Sequence, residues 1–319
     1  MFGFWLAVVL GLVVLVKAAD WFVAGASDTA KLLGMPPLLI GMVIVGFGTS
    51  APELTVSAIS AYDGAPEIAL GNAYGSNTAN ILLILGLSAL IAPVSVQRGA
   101  IVRELPLLLA GTLASFAVLA NGAISRLDAV ILLVIFAVSL AISVVRARHD
   151  AHPQTEENTD SARPNGRKAA GLLVLGLLLL VASSKALVWG ATGLARAWGV
   201  SELLIGLTIV AVGTSLPELA SSVVAAIRHE DDLAVGNIIG SNVFNTLAVV
   251  GLAGVIRPME HFNPAILHRD LPVVLAATVL LFVCGFPWKG KDGRISRFSG
   301  AVFLVLYTAY TAFLLIQKN

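Results

Sequence analysis

Gly48-Thr-Ser-Ala-Pro-Glu53-Leu54 returns 165 residues later as Gly213-Thr-Ser-Leu-Pro-Glu218-Leu219. The match extends well beyond seven residues. Residues 21–93 align with 186–258 at that constant offset and without a gap, and 31 of the 73 positions are identical. Further on, Arg103-Glu104-Leu105-Pro106 matches Arg269-Asp270-Leu271-Pro272, and Ile124-Ser125-Arg126 matches Ile295-Ser296-Arg297. The identities concentrate on Gly, Asn, Ser, Thr, Pro and Glu, which apolar helical sequence does not itself require. The chain is two copies of one unit, and its fold must seat those copies against each other.

Both copies lie in strongly apolar sequence. Of 319 residues, 57 % are hydrophobic and only 12 % charged, with mean hydropathy +0.90. A soluble chain carries about twice that charge fraction. Apolar stretches long enough to cross a bilayer as helices recur along the whole length. Ten are expected, at about 3–30, 37–60, 67–91, 99–120, 125–146, 169–197, 202–227, 232–255, 268–286 and 296–316. The first has no basic n-region and no A-x-A cleavage site, so it reads as a retained span. The expected fold class is therefore an all-α polytopic membrane protein.

Arg146 to Lys168 is the one hydrophilic break, with Pro153 and Pro164 and no apolar period. It reads as a flexible, solvated cytoplasmic linker, 148–168, between a first unit, 1–147, and a second, 169–319. Five spans per unit is an odd number, so the second copy must enter the membrane from the opposite side. This is the inverted-repeat plan of secondary transporters, which hold substrate near the midplane where the repeats meet. Thirteen Lys and Arg fall in loops on the linker side against five on the other. That asymmetry puts both termini outside, and in a bacterium places the chain in the inner membrane.

The deep polar residues carry the chemistry. A charge at membrane depth costs about 2.5–3.5 kcal/mol on insertion scales, so Glu53 and Glu218 need a reason to be there. Pro52 and Pro217 each remove a backbone hydrogen bond and crowd the carbonyl four residues back, at Gly48 and Gly213. Thr49, Ser50, Thr214 and Ser215 add hydroxyls beside them. In the third and eighth spans, Asn72, Ser76 and Asn80 share one helix face, as do Asn237, Ser241 and Asn245. Ser76, Asn80, Ser241 and Asn245 lie deeper and read as ligands. Asn72, Asn77, Asn237 and Asn242 read as bridges between helices, with Gly71, Gly75, Gly236 and Gly240 allowing close approach. The set gathers hard oxygens, which suit Na⁺ or Ca²⁺ and not Zn²⁺ or Cu⁺. Magnesium fits less well, because it keeps its waters and demands a strict octahedron.

Other residues are less informative. Cys284 is alone, which excludes a disulfide, and reads as core packing. The five histidines fall in loops or at span ends. Lys17 and Asp20, and Lys185 at the position equivalent to Asp20, read as structural pairs or interface anchors. Nothing suggests nucleic acid or a cofactor.

In these motifs the chain resembles the cation/calcium antiporter superfamily, and within it the prokaryotic sodium/calcium exchangers. Gly41 to Pro93 and Gly206 to Pro258, with G-T-S-x-P-E and G-N-x-x-G-S-N-x-x-N, look like that family's paired repeats. The resemblance implies that Ca²⁺ and competing Na⁺ share Glu53 and Glu218. It also implies that Thr49, Ser50, Thr214 and Ser215 lend side-chain or backbone oxygens, and that Ser76 and Ser241 close outer Na⁺ positions. Asn80 and Asn245 would line the middle of the site. It assigns carbonyl ligation to Gly46 and Ala211, whereas the prolines point to Gly48 and Gly213. Some archaeal and potassium-dependent relatives carry Asp where Asn245 stands, so a third carboxylate is absent here.

The expected activity is exchange of Na⁺ for Ca²⁺, extruding Ca²⁺ by alternating access. The alternative is H⁺/Ca²⁺ exchange, with protons carried by the two Glu, and the paired Thr-Ser hydroxyls favour Na⁺. An intramembrane enzyme would need a nucleophile paired with a base, or paired catalytic Asp; Asp20 and Asp28 have no counterpart motif, and no Ser-His or Cys-His pair lies at membrane depth.

Overall fold

The computed structural model describes residues 1–150, 164–199, 211–287 and 293–317. Among them, eight helices are long and apolar enough to cross a membrane. These are α1 (Phe2–Leu33), α4 (Pro66–Ile91), α5 (Ala100–Leu119), α6 (Arg126–Asp150), α7 (Gly166–Ala197), α10 (Asp231–Ile256), α11 (Ile266–Gly285) and α12 (Arg297–Gln317). A ninth candidate is bent by 45° between α2 (Pro37–Thr49) and α3 (Ala51–Tyr62). Residues 202–210 of the expected seventh span lie outside the described residues. The rest of that span is α8 (Ala211–Thr214) and α9 (Leu216–Ile227). The helix ends fall within a few residues of the expected spans.

The breaks at α2/α3 and α8/α9 have one cause. Pro52 and Pro217 lack the N–H that would continue the helix, so the preceding turn opens. Ser50 (φ −83°, ψ 2°) and Ser215 (φ −90°, ψ 11°) leave the helical region at equivalent positions. Further turns widen to π-helix at Gly41–Val45, Ala79–Leu85 and Phe244–Val249. Such turns commonly sit at functional sites, and the last two hold Asn80 and Asn245. The repeat shows in loop backbone too: Gly34 (φ 61°) closes α1 and its counterpart Gly199 (φ 77°) follows α7.

Burial puts α4 and α10 at the centre, 72 % and 83 % enclosed, against 22 % for α1 and α7 and 11 % for α12. The bent span reaches α10 because glycine stands at each contact. A Cβ on Gly41 would lie 2.8 Å from the Leu233 carbonyl oxygen, and one on Gly240 would lie 2.7 Å from Met42 Cα. The equivalent contact through Gly71 and Gly75 would involve positions 206 and 207, which lie outside the described residues.

Outside this core, α1 and α7 pack antiparallel along their length. Gly11 meets Leu187, Gly25 meets Leu173 and Gly176 meets Phe22. At the loop ends, β1 (Val94–Val96) pairs antiparallel with β2 (Gly293–Ile295). An isolated bridge from Ile124 to Met259 repeats that tie between equivalent loops.

Candidate cation site

The two breaks place Glu53 and Glu218 at the first turns of α3 and α9, both fully buried. Each carboxylate is held by the other copy of the repeat. Ser50 Oγ donates to Glu218 Oε1 at 3.0 Å, and Ser215 Oγ donates to Glu53 Oε1 at 3.1 Å. Ser76 joins through its hydroxyl, 3.3 Å from Ser215 Oγ. Thr49 Oγ1 lies 3.0 Å from both the Val45 carbonyl and Asn237 Oδ1. Thr49, Ser50, Ser76 and Ser215 are buried with the carboxylates, and Thr214 is partly buried at the rim.

Three of the four asparagines expected to bridge helices do so. Asn72 Nδ2 donates to Ser57 Oγ at 3.0 Å and to the Glu53 carbonyl at 3.3 Å. Asn237 Nδ2 does the same with Ser222 Oγ at 2.8 Å and the Glu218 carbonyl at 3.4 Å. Each thus pins the backbone at a glutamate to a neighbouring helix. Asn77 Nδ2 donates to Thr246 Oγ1 at 2.6 Å and bridges the copies, whereas Asn242 bonds within its own helix to the Ile238 carbonyl. Asn242 is therefore not the helix bridge expected of it.

A different group of buried polar atoms has no protein partner. It comprises Oε2 of Glu53 and Glu218, both amide atoms of Asn80 and Asn245, and Ser241 Oγ. Among the described residues neither carboxylate has a Lys or Arg ion-pair partner. Unpaired buried charge and unbonded buried polar atoms are both costly. Their concentration around two carboxylates fits a hard, oxygen-liking cation. No cluster of three or more His, Cys, Asp or Glu able to hold a metal occurs among the described residues, which sets the site apart from thiolate and imidazole centres.

The carbonyl candidates behave unequally. Gly46 O accepts the Ser50 N–H at 3.0 Å and, more weakly, Thr49 Oγ1 at 3.4 Å. Gly213 O, released by Pro217, accepts Ser184 Oγ from α7 at 2.8 Å. Ala211 opens α8, and its side chain is outside the described set. Sequence reasoning missed Ser57, Ser222 and Ser184. Ser57 and Ser222 are identical at the repeat offset, so the alignment carried that signal. Ser184 corresponds to Ala19 and carried none.

Comparison with known proteins follows the same division into two blocks. The family described as Sodium/calcium exchanger protein matches residues 3–145 and 168–316. CaxA of Alkalimonas amylolytica is 44 % identical over 307 residues, covering 95 % of this chain and 96 % of that protein. Inner membrane protein YrbG of Escherichia coli (strain K12) is 39 % identical, covering 90 % of each. Among solved structures, the sodium-calcium exchanger NCX_Mj soaked with Na⁺ and Sr²⁺ superposes with a TM-score of 0.84 at 31 % identity, over 98 % of both chains.

Proposed function

The chain belongs to the sodium/calcium exchanger protein family, and from that premise we propose that it couples Na⁺ entry to Ca²⁺ extrusion by alternating access. That it is an integral membrane cation/Ca²⁺ antiporter, a transporter and not an enzyme, comes with the family. In finer detail, ten helices form two inverted five-helix repeats, 1–147 and 169–319, joined at 148–168 on the cytoplasmic side. Both termini lie outside a prokaryotic inner membrane. Glu53 and Glu218 are shared by Ca²⁺ and Na⁺. Thr49, Ser50, Thr214, Ser215, Ser76, Ser241, Asn80 and Asn245, with the carbonyls of Gly46 and Ala211, complete the alternative coordination sets.

One observation carries this reading: the crossed Ser50–Glu218 and Ser215–Glu53 hydrogen bonds, with the outer carboxylate oxygens left unpartnered. Calcium takes 6–8 oxygens. Two carboxylates, hydroxyls, amide oxygens and carbonyls drawn from both repeats reach that number. A separation of the repeats would dismantle the site, which is what alternating access needs.

The test is Ca²⁺ uptake into proteoliposomes with outward Na⁺ and outward H⁺ gradients imposed separately. Uptake driven by the Na⁺ gradient at clamped pH is the expected result. Uptake that follows only the H⁺ gradient would replace Na⁺ by protons carried on the same glutamates.

A further inference from the structure

The two faces of the site differ. On one, α1 lies closed on α9: Ala19 and Phe22 pack with Ala220 and Val224. Across that seam the Arg228 guanidinium pairs with Asp20, which also holds Lys17 at 3.3 Å, and Ser27 Oγ donates to Glu230 at 2.6 Å. The other face is open. A cavity of about 470 Å³ separates α7 from α3, lined by Thr55, Ile59, Lys185, Val188 and Trp189 and reaching Thr214 of the site.

The repeat offset relates the two faces charge by charge. Asp20 corresponds to Lys185, and Arg228 corresponds to Asp63. Both charges are inverted, so the attraction is preserved with its sign reversed. Among the described residues Lys185 and Asp63 have no ion-pair partner, and both are exposed. Thr192, the counterpart of Ser27, has a buried hydroxyl without a hydrogen-bond partner. Asp63 lies one turn beyond Ile59, so closing the cavity would carry it toward Lys185.

We infer that Lys185 and Asp63 form the second half of a reciprocal latch: they pair when α7 closes on α3, in the state in which the Asp20–Arg228 pair separates. The inference rests on the alternating-access reading and identifies positioning residues that the ion site does not include.

Crosslinking tests it without transport. In a Cys284→Ala background, Asp63→Cys and Lys185→Cys are combined, and the reconstituted protein is treated with a short bis-methanethiosulfonate. Adding Arg228→Ala, which releases the other latch, should raise the crosslinked fraction about two- to fivefold, the scale of one exposed ion pair. A crosslink that fails in both backgrounds, or a yield indifferent to Arg228→Ala, overturns the latch. A second set guards against misfolding. Lys185→Asp and Asp63→Lys singly should slow exchange, and the double inversion should recover at least half the wild-type rate. A double inversion no faster than the slower single variant also overturns it. If crosslinking behaves as expected in protein that carries no Na⁺-driven Ca²⁺ flux, the latch stands and the assigned transport does not.

Discussion

At the scale of single residues, the decisive contrast is between Glu53 and Glu218 and the asparagines beside them. The glutamates bring formal charge, and Asn72 and Asn237 fix the backbone at each glutamate. Glu53→Gln or Glu218→Gln removes one of two buried negative charges while keeping shape and the serine contacts. Either variant should insert and purify normally and lose Na⁺-driven Ca²⁺ uptake in proteoliposomes. Wild-type transport in either would move the site elsewhere. Asn237→Ala should act differently. It removes the donor to Ser222 and the Glu218 carbonyl without removing charge. Glu218 should then be less well placed, and the Ca²⁺ concentration for half-maximal uptake should rise with a smaller change in maximal rate. An unchanged half-maximal concentration would make Asn237 a structural bridge only. The glutamates were legible in the sequence because a charge repeated in apolar surroundings must meet an ion, a proton or an opposite charge to offset its burial. The crossing of the serines was not, because it depends on how two distant segments meet. The loss of the Gly213 carbonyl to Ser184 was hidden for the same reason.

At the scale of helices, the bend in the second span and the break before α9 were legible from Pro52 and Pro217, since proline acts on its own backbone. The tight seam between α2 and α10 was half legible. The small size of Gly236 and Gly240 permits close approach, but the partners, Gly41 and Met42, emerge only from the packing. The equivalent seam at Gly71 and Gly75 would meet positions 206 and 207, which lie outside the described residues. The α2–α10 seam gives a prediction. Gly240→Ala would force a Cβ into the Met42 backbone. Overpacking costs about 1–3 kcal/mol, so Gly240→Ala should lower the melting temperature in detergent. An unchanged melting temperature would mean that the α2–α10 seam relaxes freely.

At the scale of the whole molecule, the question is how much charge crosses per cycle. Two carboxylates balance one Ca²⁺ or two Na⁺, yet hydroxyl, amide and carbonyl oxygens exceed what one Ca²⁺ uses. With the proposed ligand set, the surplus gives room for a third Na⁺ at neutral oxygens such as those of Ser76 and Ser241. The absence of a third acid at Asn245 makes a two-for-one, electroneutral cycle the real rival. If three Na⁺ enter as one Ca²⁺ leaves, one net positive charge moves inward, and each 100 mV of inside-negative potential contributes about 2.3 kcal/mol. Extrusion should therefore accelerate as the compartment Ca²⁺ leaves becomes more negative, at fixed Na⁺ and Ca²⁺ gradients. Valinomycin and set K⁺ gradients clamp that potential in proteoliposomes, and Ca²⁺ flux is read against it. A Na⁺-driven flux indifferent to the clamp would establish the two-for-one cycle. The third Na⁺ position would then be lost, while the paired glutamates and the exchange they serve would remain.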